Sequence, residues 1–249
     1  MKRILLTALI LVTSCTTRCD NKKIRLYCMY TPSHEVLYKE WFLPTLQDDY
    51  EIVASRFDQK CAQGSFLTPG WAKTILHKID VILGAIEENW GGIFVFSDVD
   101  IQFFAPTWPT LSRMIEDHDI VMQRSFLAAK DKRVNTGFFA CRANERSRTT
   151  WQAAKEIVLK KIANEEEIGD QLAFNTILTR NPAKLRVAFL PPTFLKPWGR
   201  ERETWKPGKA LHIPKDVVMH HACRTKNFED KILQLQYVRR TVEGRMPKL

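Results

Sequence analysis

The sequence predicts an α/β fold with a central, mostly parallel sheet flanked by helices. Three observations carry that expectation. Apolar strand-like segments alternate with helical ones along the chain. One segment, Ile93-Phe94-Val95-Phe96, is apolar without alternation, as a strand buried on both faces is. And Trp71, Ile75, Leu76, Ile79, Ile82, Leu83 and Ile86 recur at helical spacing, which gives an amphipathic helix of about five turns.

In order along the chain, Ile24 to Thr31 reads as a strand stopped by Pro32-Ser33, and Tyr50 to Phe57 as a second strand. The helix from Trp71 ends before Trp90-Gly91-Gly92, which leads into the Ile93 strand. Thr110 to Asp117 reads as helix, and Ile120 to Gln123 as strand. Val134 to Arg142 is a strand interrupted by Gly137. Asn144 to Ile162 is a long helix, and Gly169 to Leu178 a shorter one capped near Asp170. Leu185 to Leu190 is a strand halted by Pro191-Pro192, and Pro191 to Pro214 is a basic, loop-rich region. Val217 to Cys223 is a short strand and Phe228 to Arg240 a final helix. Nothing after residue 24 resembles a linker, so residues 24–249 read as one domain, a size that supports a sizeable core.

The formal charge of +10 is unevenly spread. Residues 180–249 hold 16 Lys and Arg against 6 Asp and Glu, whereas the first 179 hold 22 of each. The last third is therefore a candidate surface for phosphates, acidic glycans or an anionic membrane. No helix-turn-helix, zinc finger or RNA-binding aromatic motif accompanies the charge, so nucleic acid is not expected as a partner. At the N-terminus, Lys2 and Arg3 precede an apolar stretch from Ile4 to Val12 that is too short to span a bilayer. Val12-Thr13-Ser14-Cys15 resembles a lipobox. Residues 1–20 are thus expected to be a signal peptide or lipoprotein signal, making the chain exported or membrane-associated. The alternative is a buried N-terminal element in a cytoplasmic protein. Six cysteines without a C-x-x-C pair make a structural zinc site unexpected. Cys28 and Cys141 lie in apolar strand-like segments and read as buried thiols.

The chemistry concentrates where the Ile93 strand ends, at Ser97-Asp98-Val99-Asp100. Residues i and i+2 of an extended chain point the same way. Asp98 and Asp100 would then face one spot with Cβ atoms roughly 6–7 Å apart. That suits a divalent ion taking part of its shell from water or a diphosphate. The plainer alternative is a strand terminator that caps the next element. In Asn135-Thr136-Gly137-Phe138-Phe139, the glycine marks either close approach by a ligand or a simple bulge. Asp170 reads as an N-cap, with Gln171 and Asn175 as further polar groups on that helix. The pair His220-His221 reads as structural more readily than as ligands. Phe194, Trp198, Arg200, Arg202 and Trp205 read as a loop held by buried aromatics rather than as a sugar-stacking platform.

Together these patches resemble one family, the nucleotide-diphospho-sugar transferases of the GT-A fold, close to glycosyltransferase family 77. The matching pieces are Lys78 on the helix before the strand, FSDVDIQFF from Phe96, NTGFF from Asn135, GDQLAFN from Gly169, and HHAC from His220 with Lys231 downstream. They occur in the family's order over roughly residues 24–240. The family's usual Asn after H-A is Cys223 here, and its Gly near 227 is Asn227.

The resemblance implies a single Rossmann-like GT-A domain that moves a sugar from a nucleotide-diphosphate sugar donor to the hydroxyl of a glycan or other acceptor, with retention. It implies Mn2+ (or Mg2+) held by Asp98, Asp100 and His221; imidazole beside carboxylates suits Mn2+ better. It implies Asp170 and Gln171 as catalytic residues at the sugar, and Thr31, Lys78, Ser97, Asp98, Asn135 and Lys226 as contacts to the nucleotide sugar. With retention, the departing phosphate can accept the acceptor's proton. With inversion, Asp170 is the candidate base.

Two other readings compete with this one. A phosphatase of the haloacid dehalogenase type also carries D-x-D after a strand, but normally on the first strand, and here the pair comes about 70 residues after it. A surface lipoprotein binding acidic glycans on a decayed transferase fold would fit an exported N-terminus, but a complete D-x-D, D-Q and His set argues against decay.

Overall fold

The structure, a computed structural model, describes residues 23–61, 66–125, 132–197 and 204–244. The expected N-terminal signal with Cys15 lies outside the described residues, as do Trp198, Arg200 and Arg202. Among the described residues, no helix is long and apolar enough to cross a membrane.

The elements are β1 (Arg25–Tyr30), β2 (Glu51–Arg56), α1 (Trp71–Glu88), β3 (Ile93–Asp98), β4 (Ile101–Phe103), α2 (Trp108–Ile115), β5 (Ile120–Arg124), β6 (Val134–Arg142), α3 (Glu145–Ala163), α4 (Asp170–Arg180), β7 (Val187–Phe189), β8 (Phe194–Leu195), β9 (Met219–His221) and α5 (Phe228–Glu243). Six strands form the central sheet in the order β2-β1-β3-β6-β5-β7. The β1–β2, β1–β3 and β5–β7 pairs are parallel, whereas β6 runs antiparallel to both β3 and β5. The expected α/β sheet flanked by helices is present, and every long element lies within a few residues of its predicted place.

Alternation along the strands divides the core into two halves. Tyr27, Phe94, Phe96, Phe139 and Cys141 face the layer containing Ile79, Ile82, Trp151 and Phe174, from helices α1, α3 and α4. Leu26, Cys28, Val95, Phe138 and Ala140 face the opposite layer, with Leu37, Phe42, Leu111, Phe194 and Leu235. This two-sided burial is why the Ile93 strand is apolar without a period of two. It also fixes directions: Phe94, Phe96 and then Asp98 point to the α1 side, and Ser97 to the other.

Two regions differ from expectation. Residues 32–45 form short 3-10 and π-helical turns that bury Leu37, Trp41 and Phe42. And a second, three-stranded sheet, β4-β9-β8, recruits Phe194 and Leu195 from the stretch read as loop. Strands of two or three residues carry no period that a sequence can display. Phe194 and Trp205 are buried, and Trp205 Nε1 donates to the Lys209 carbonyl, so these two aromatics hold the loop.

One carboxylate ties the far edge of the sheet together. Asp119, its side chain fully buried, accepts from the Arg186 backbone N–H at 2.9 Å, from the Arg186 guanidinium at 3.1 Å and from Asn144 Nδ2 at 2.9 Å. Asn144 in turn caps α3 by accepting from Ser147 N–H. Burial opposes ionisation, but the Arg186 and Asn144 hydrogen bonds outweigh it and hold Asp119 at about 2. Asp119→Ala is expected to destabilise the protein by about 1–3 kcal/mol, since it removes at once the hydrogen bonds that join Arg186 and Asn144 to the sheet edge. Chemical denaturation at neutral pH checks this; a loss under ~0.5 kcal/mol would contradict it.

Candidate active site

The site is built where β3 gives way to β4. Asp98 ends β3, and the chain bends through Val99 and Asp100 before β4 starts at Ile101. The two aspartates are therefore not on one regular strand, as the sequence reading supposes. Tertiary pairing brings them together instead. β9 lies antiparallel to β4 with His221 opposite Ile101, and Ala222 N–H donates to the Asp100 carbonyl at 2.9 Å. One ligand atom each from Asp98, Asp100 and His221 then lies within 4.8 Å of the others.

The neighbouring histidine faces away. His220 is fully buried; Gln102 Nε2 lies 3.1 Å from its Nδ1, and its Nε2 lies 3.1 Å from Gln234 Oε1. An amide N–H on one side and an amide oxygen on the other select the neutral tautomer protonated at Nε2. Burial, with His221 next to it, pushes His220 down to about 3.

For His221 the same reasoning gives a different result. Gln123 is oriented by donating its Nε2–H to the Phe194 carbonyl at 2.9 Å, which leaves Oε1 facing His221 Nδ1 at 3.2 Å. Nδ1 must then carry the proton, and Nε2 presents a lone pair. That lone pair lies 3.3 Å from Asp100 Oδ1, a buried oxygen with no hydrogen-bond partner among the described residues. Two bare acceptors facing each other are unfavourable, and either a proton on Nε2 or a metal cation between them relieves that. A metal-binding imidazole held through its other nitrogen has this arrangement. The residues present thus fit a divalent ion.

Charge balance agrees. Lys78, its side chain 6% exposed, lies 2.7 Å from Asp98 and 2.9 Å from Asp170, and Lys231 bonds Asp100 at 2.5 Å. Burial works against the Lys78 charge, but Asp170 and Asp98 outweigh it and hold the ammonium protonated. Burial likewise opposes ionisation of Asp100, yet the Lys231 ammonium beside it holds it well below the usual carboxylate range. Burial pushes Asp98 up against the pull of Lys78, and crowding by Asp100 and Asp170 adds to the rise. Counted formally as ionised, three carboxylates face two ammonium groups, one negative charge in excess.

These groups line a cavity. Lys78, Asp98, Asp100, Asp170 and Lys231 form its charged wall. Met29, Tyr30, Thr31 and His34 close it from the end of β1, and Trp71, Thr74 and Ile75 from α1. Burial, reinforced by Lys231, pushes His34 down to about 4.

The sequence-derived candidates divide accordingly. Thr31, Lys78, Asp98, Asp100 and Asp170 line the cavity. Asp170 is not the N-cap of α4; Gly169 holds that position and Asp170 turns to Lys78. Gln171 lies just behind, accepting from Asn135 Nδ2 at 2.7 Å and donating to Ser125 Oγ at 3.1 Å. Asn135 is thus spent on Gln171 and on the Gly137 N–H rather than set in the cavity wall. Ser97 is fully buried, on the face opposite Asp98, and donates to the Asp98 carbonyl. Lys226 is exposed and off the cavity wall. The cation beside Asp100 is Lys231, one turn into α5 from its Asn227 cap. Lys231 belongs to the matched family pattern but was assigned no role, and His34, Trp71 and Thr74 were not among the candidates. Trp71 reads as one more apolar helix position, and a polar Thr74 inside an apolar stripe was the available signal.

Gly137 answers to both of its sequence readings. The β5–β6 register breaks between Met122 and Gln123, opposite this stretch. A Cβ on Gly137 would lie 2.3 Å from His221 Cε1 and 2.9 Å from Asp98 Oδ2. The glycine admits the histidine and aspartate themselves.

Comparison with known proteins follows the same line. Residues 31–235 match the profile of the nucleotide-diphospho-sugar transferases, and the chain belongs to that family. Among solved structures, it resembles a glycosyltransferase involved in the glycosylation of the major capsid of PBCV-1, with a TM-score of 0.55, 11% identity, and 88% of this chain and 99% of that one covered. It also resembles mouse xyloside xylosyltransferase 1, with a TM-score of 0.50, 11% identity, and 80% and 97% covered. At such identity the likeness speaks for the GT-A fold. No curated protein sequence matches the chain.

Two outcomes test the geometry. Gly137→Ala should displace His221, costing about 1–3 kcal/mol as overpacking does; a variant with wild-type unfolding and activity would contradict the close approach. His220 makes stability acid-sensitive. Its folded pKa of about 3 lies below the unfolded value, so on acidification the unfolded chain takes up a proton that the native state does not. Stability is therefore lost as pH falls below about 6.5, by about 2 kcal/mol at pH 5. Urea titrations at pH 7.5 and 5 should show that loss, and His220→Gln should remove about that share of it.

Proposed function

We propose that this nucleotide-diphospho-sugar transferase is a metal-dependent, retaining glycosyltransferase acting on an acceptor hydroxyl, with Asp98, Asp100 and His221 holding Mn2+ or Mg2+. The observation that carries the metal is the facing pair of bare acceptors, His221 Nε2 and Asp100 Oδ1, 3.3 Å apart in a cluster of excess negative charge. A divalent ion bound there supplies positive charge to the nucleoside diphosphate as it leaves.

The chain's own residues do the rest. The Lys231 ammonium, 20% exposed beside Asp100, is placed to stabilise charge that develops on the departing phosphate. Lys78 fixes Asp98 and Asp170 relative to one another, so the diphosphate site and the sugar site keep one geometry. Gln171, held at both ends by Asn135 and Ser125, keeps its place beside the sugar without rotamer search. Asp170 supplies negative charge near the sugar, where a developing oxocarbenium ion is stabilised by it. Retention is supported by the ion pair of Asp170 with Lys78, 2.9 Å away. An inverting enzyme needs a free carboxylate to take the acceptor's proton.

Hydrolysis of a panel of nucleotide sugars in EDTA, Mn2+ and Mg2+ is the test. Activity should require the divalent ion, and Asp100→Asn should lower turnover by ~10²-fold or more. Full activity in EDTA, or in folded Asp100→Asn, would remove the metal from the reading.

A further inference from the structure

We propose that Thr74 is a specificity-determining residue of this site, its hydroxyl hydrogen-bonding an uncharged oxygen of the nucleotide-sugar donor. The inference rests on the reading of the cavity as the donor site and goes beyond the ionic residues on which that reading is built.

Thr74 is 6% exposed, lines the cavity, and its Oγ1 has no hydrogen-bond partner among the described residues. A helical threonine ordinarily turns its hydroxyl back to the carbonyl four residues earlier. Four others here do so: Thr150 to Arg146, Thr176 to Leu172, Thr179 to Asn175 and Thr241 to Tyr237, at 2.8–2.9 Å. Thr74 does not, and leaves a buried donor and acceptor idle at the wall of the cavity. Such a group costs free energy in the empty protein and regains it when something bonds there.

The position of Thr74 narrows what that something is. Trp71, Thr74 and Lys78 share one stripe of α1 at i, i+3 and i+7. Lys78 is spent on Asp98 and Asp170. Trp71 Nε1 is a second unpartnered donor on the same wall. Lacking a partner is not by itself a sign of binding, since Trp151 Nε1 also has none and sits deep among core aromatics. The cavity wall distinguishes the two cases. Neutral donors beyond the charged end of the stripe suit a hydroxyl or carbonyl oxygen better than a phosphate, for which Lys231 and the metal-binding group are provided. That oxygen belongs either to the sugar or to the nucleoside.

The test uses the full-length protein with Thr74→Val, which keeps the shape and removes the hydroxyl, and Thr74→Ser, which restores it. Binding is measured for UDP-glucose, UDP-galactose, UDP-xylose and GDP-mannose, and for UDP and GDP alone, with Mn2+ present. The best-bound donor should weaken about tenfold in Thr74→Val, the loss of one hydrogen bond, and recover in Thr74→Ser. The thermal midpoint of the empty Thr74→Val protein should be equal to the wild type or higher, whereas loss of a structural hydrogen bond would lower it. A penalty that persists with the nucleoside diphosphate places the oxygen on the nucleoside; one that disappears places it on the sugar. If the wild type binds a donor and Thr74→Val binds it equally well, or if the empty variant is clearly less stable, the proposal is wrong while the donor-site reading stands. If the wild type binds none of these compounds, the donor-site reading fails and this proposal fails with it.

Discussion

The buried ammonium of Lys78 is the contact on which the rest of the site depends. It reaches from α1 to Asp98 at the end of β3 and to Asp170 at the start of α4, and lies 5.2 Å from the Phe96 ring centre. Three elements that share no local sequence are thereby joined at one point. An ammonium taken out of water is costly unless it is paired, and two carboxylates meet that condition. Removing Lys78 would leave Asp98, Asp100 and Asp170 close together with only Lys231 against them.

Around that contact the protein divides labour between rigid supports and exposed chemistry. Gln123 orients the His221 ring through Nδ1, Gln102 and Gln234 turn His220 away, and Gln171 is held by Asn135 and Ser125. Each is a neutral amide that orients a neighbour through hydrogen bonds and adds no charge. The charged groups are kept for the cavity, where an excess of negative charge suits a cation and the diphosphate it would accompany. Gly137 permits this density, because any side chain there would occupy the space that His221 and Asp98 need.

The family assignment and the geometry support one another from independent directions. The profile match over residues 31–235 depends on residue identities in order. The tautomer of His221 depends on hydrogen-bond directions that no profile encodes. Both point to the same aspartates. The match names the chemistry of the donor, and the local geometry indicates where a metal ion would sit.

By itself the sequence determined what depends on neighbouring residues. The long strands and helices were legible because their periods of two and 3.6 extend over enough positions to show, and the apolar Ile93 run announced a strand covered on both sides. The D-x-D at its end was legible because a charged pair is conspicuous after four apolar residues. Long-range pairing decided the rest. That Asp98 and Asp100 converge across a bend, that His221 rather than His220 joins them, and that Lys231 rather than Lys226 stands beside Asp100 follow from β4 pairing with β9 and from the docking of α5. Ser97 and Asn135 carried motif positions but were turned to structural bonds by the face and register of their strands. A residue's type and spacing limit what it can bond, but which partner lies within 3 Å is set only when segments a hundred residues apart are packed together.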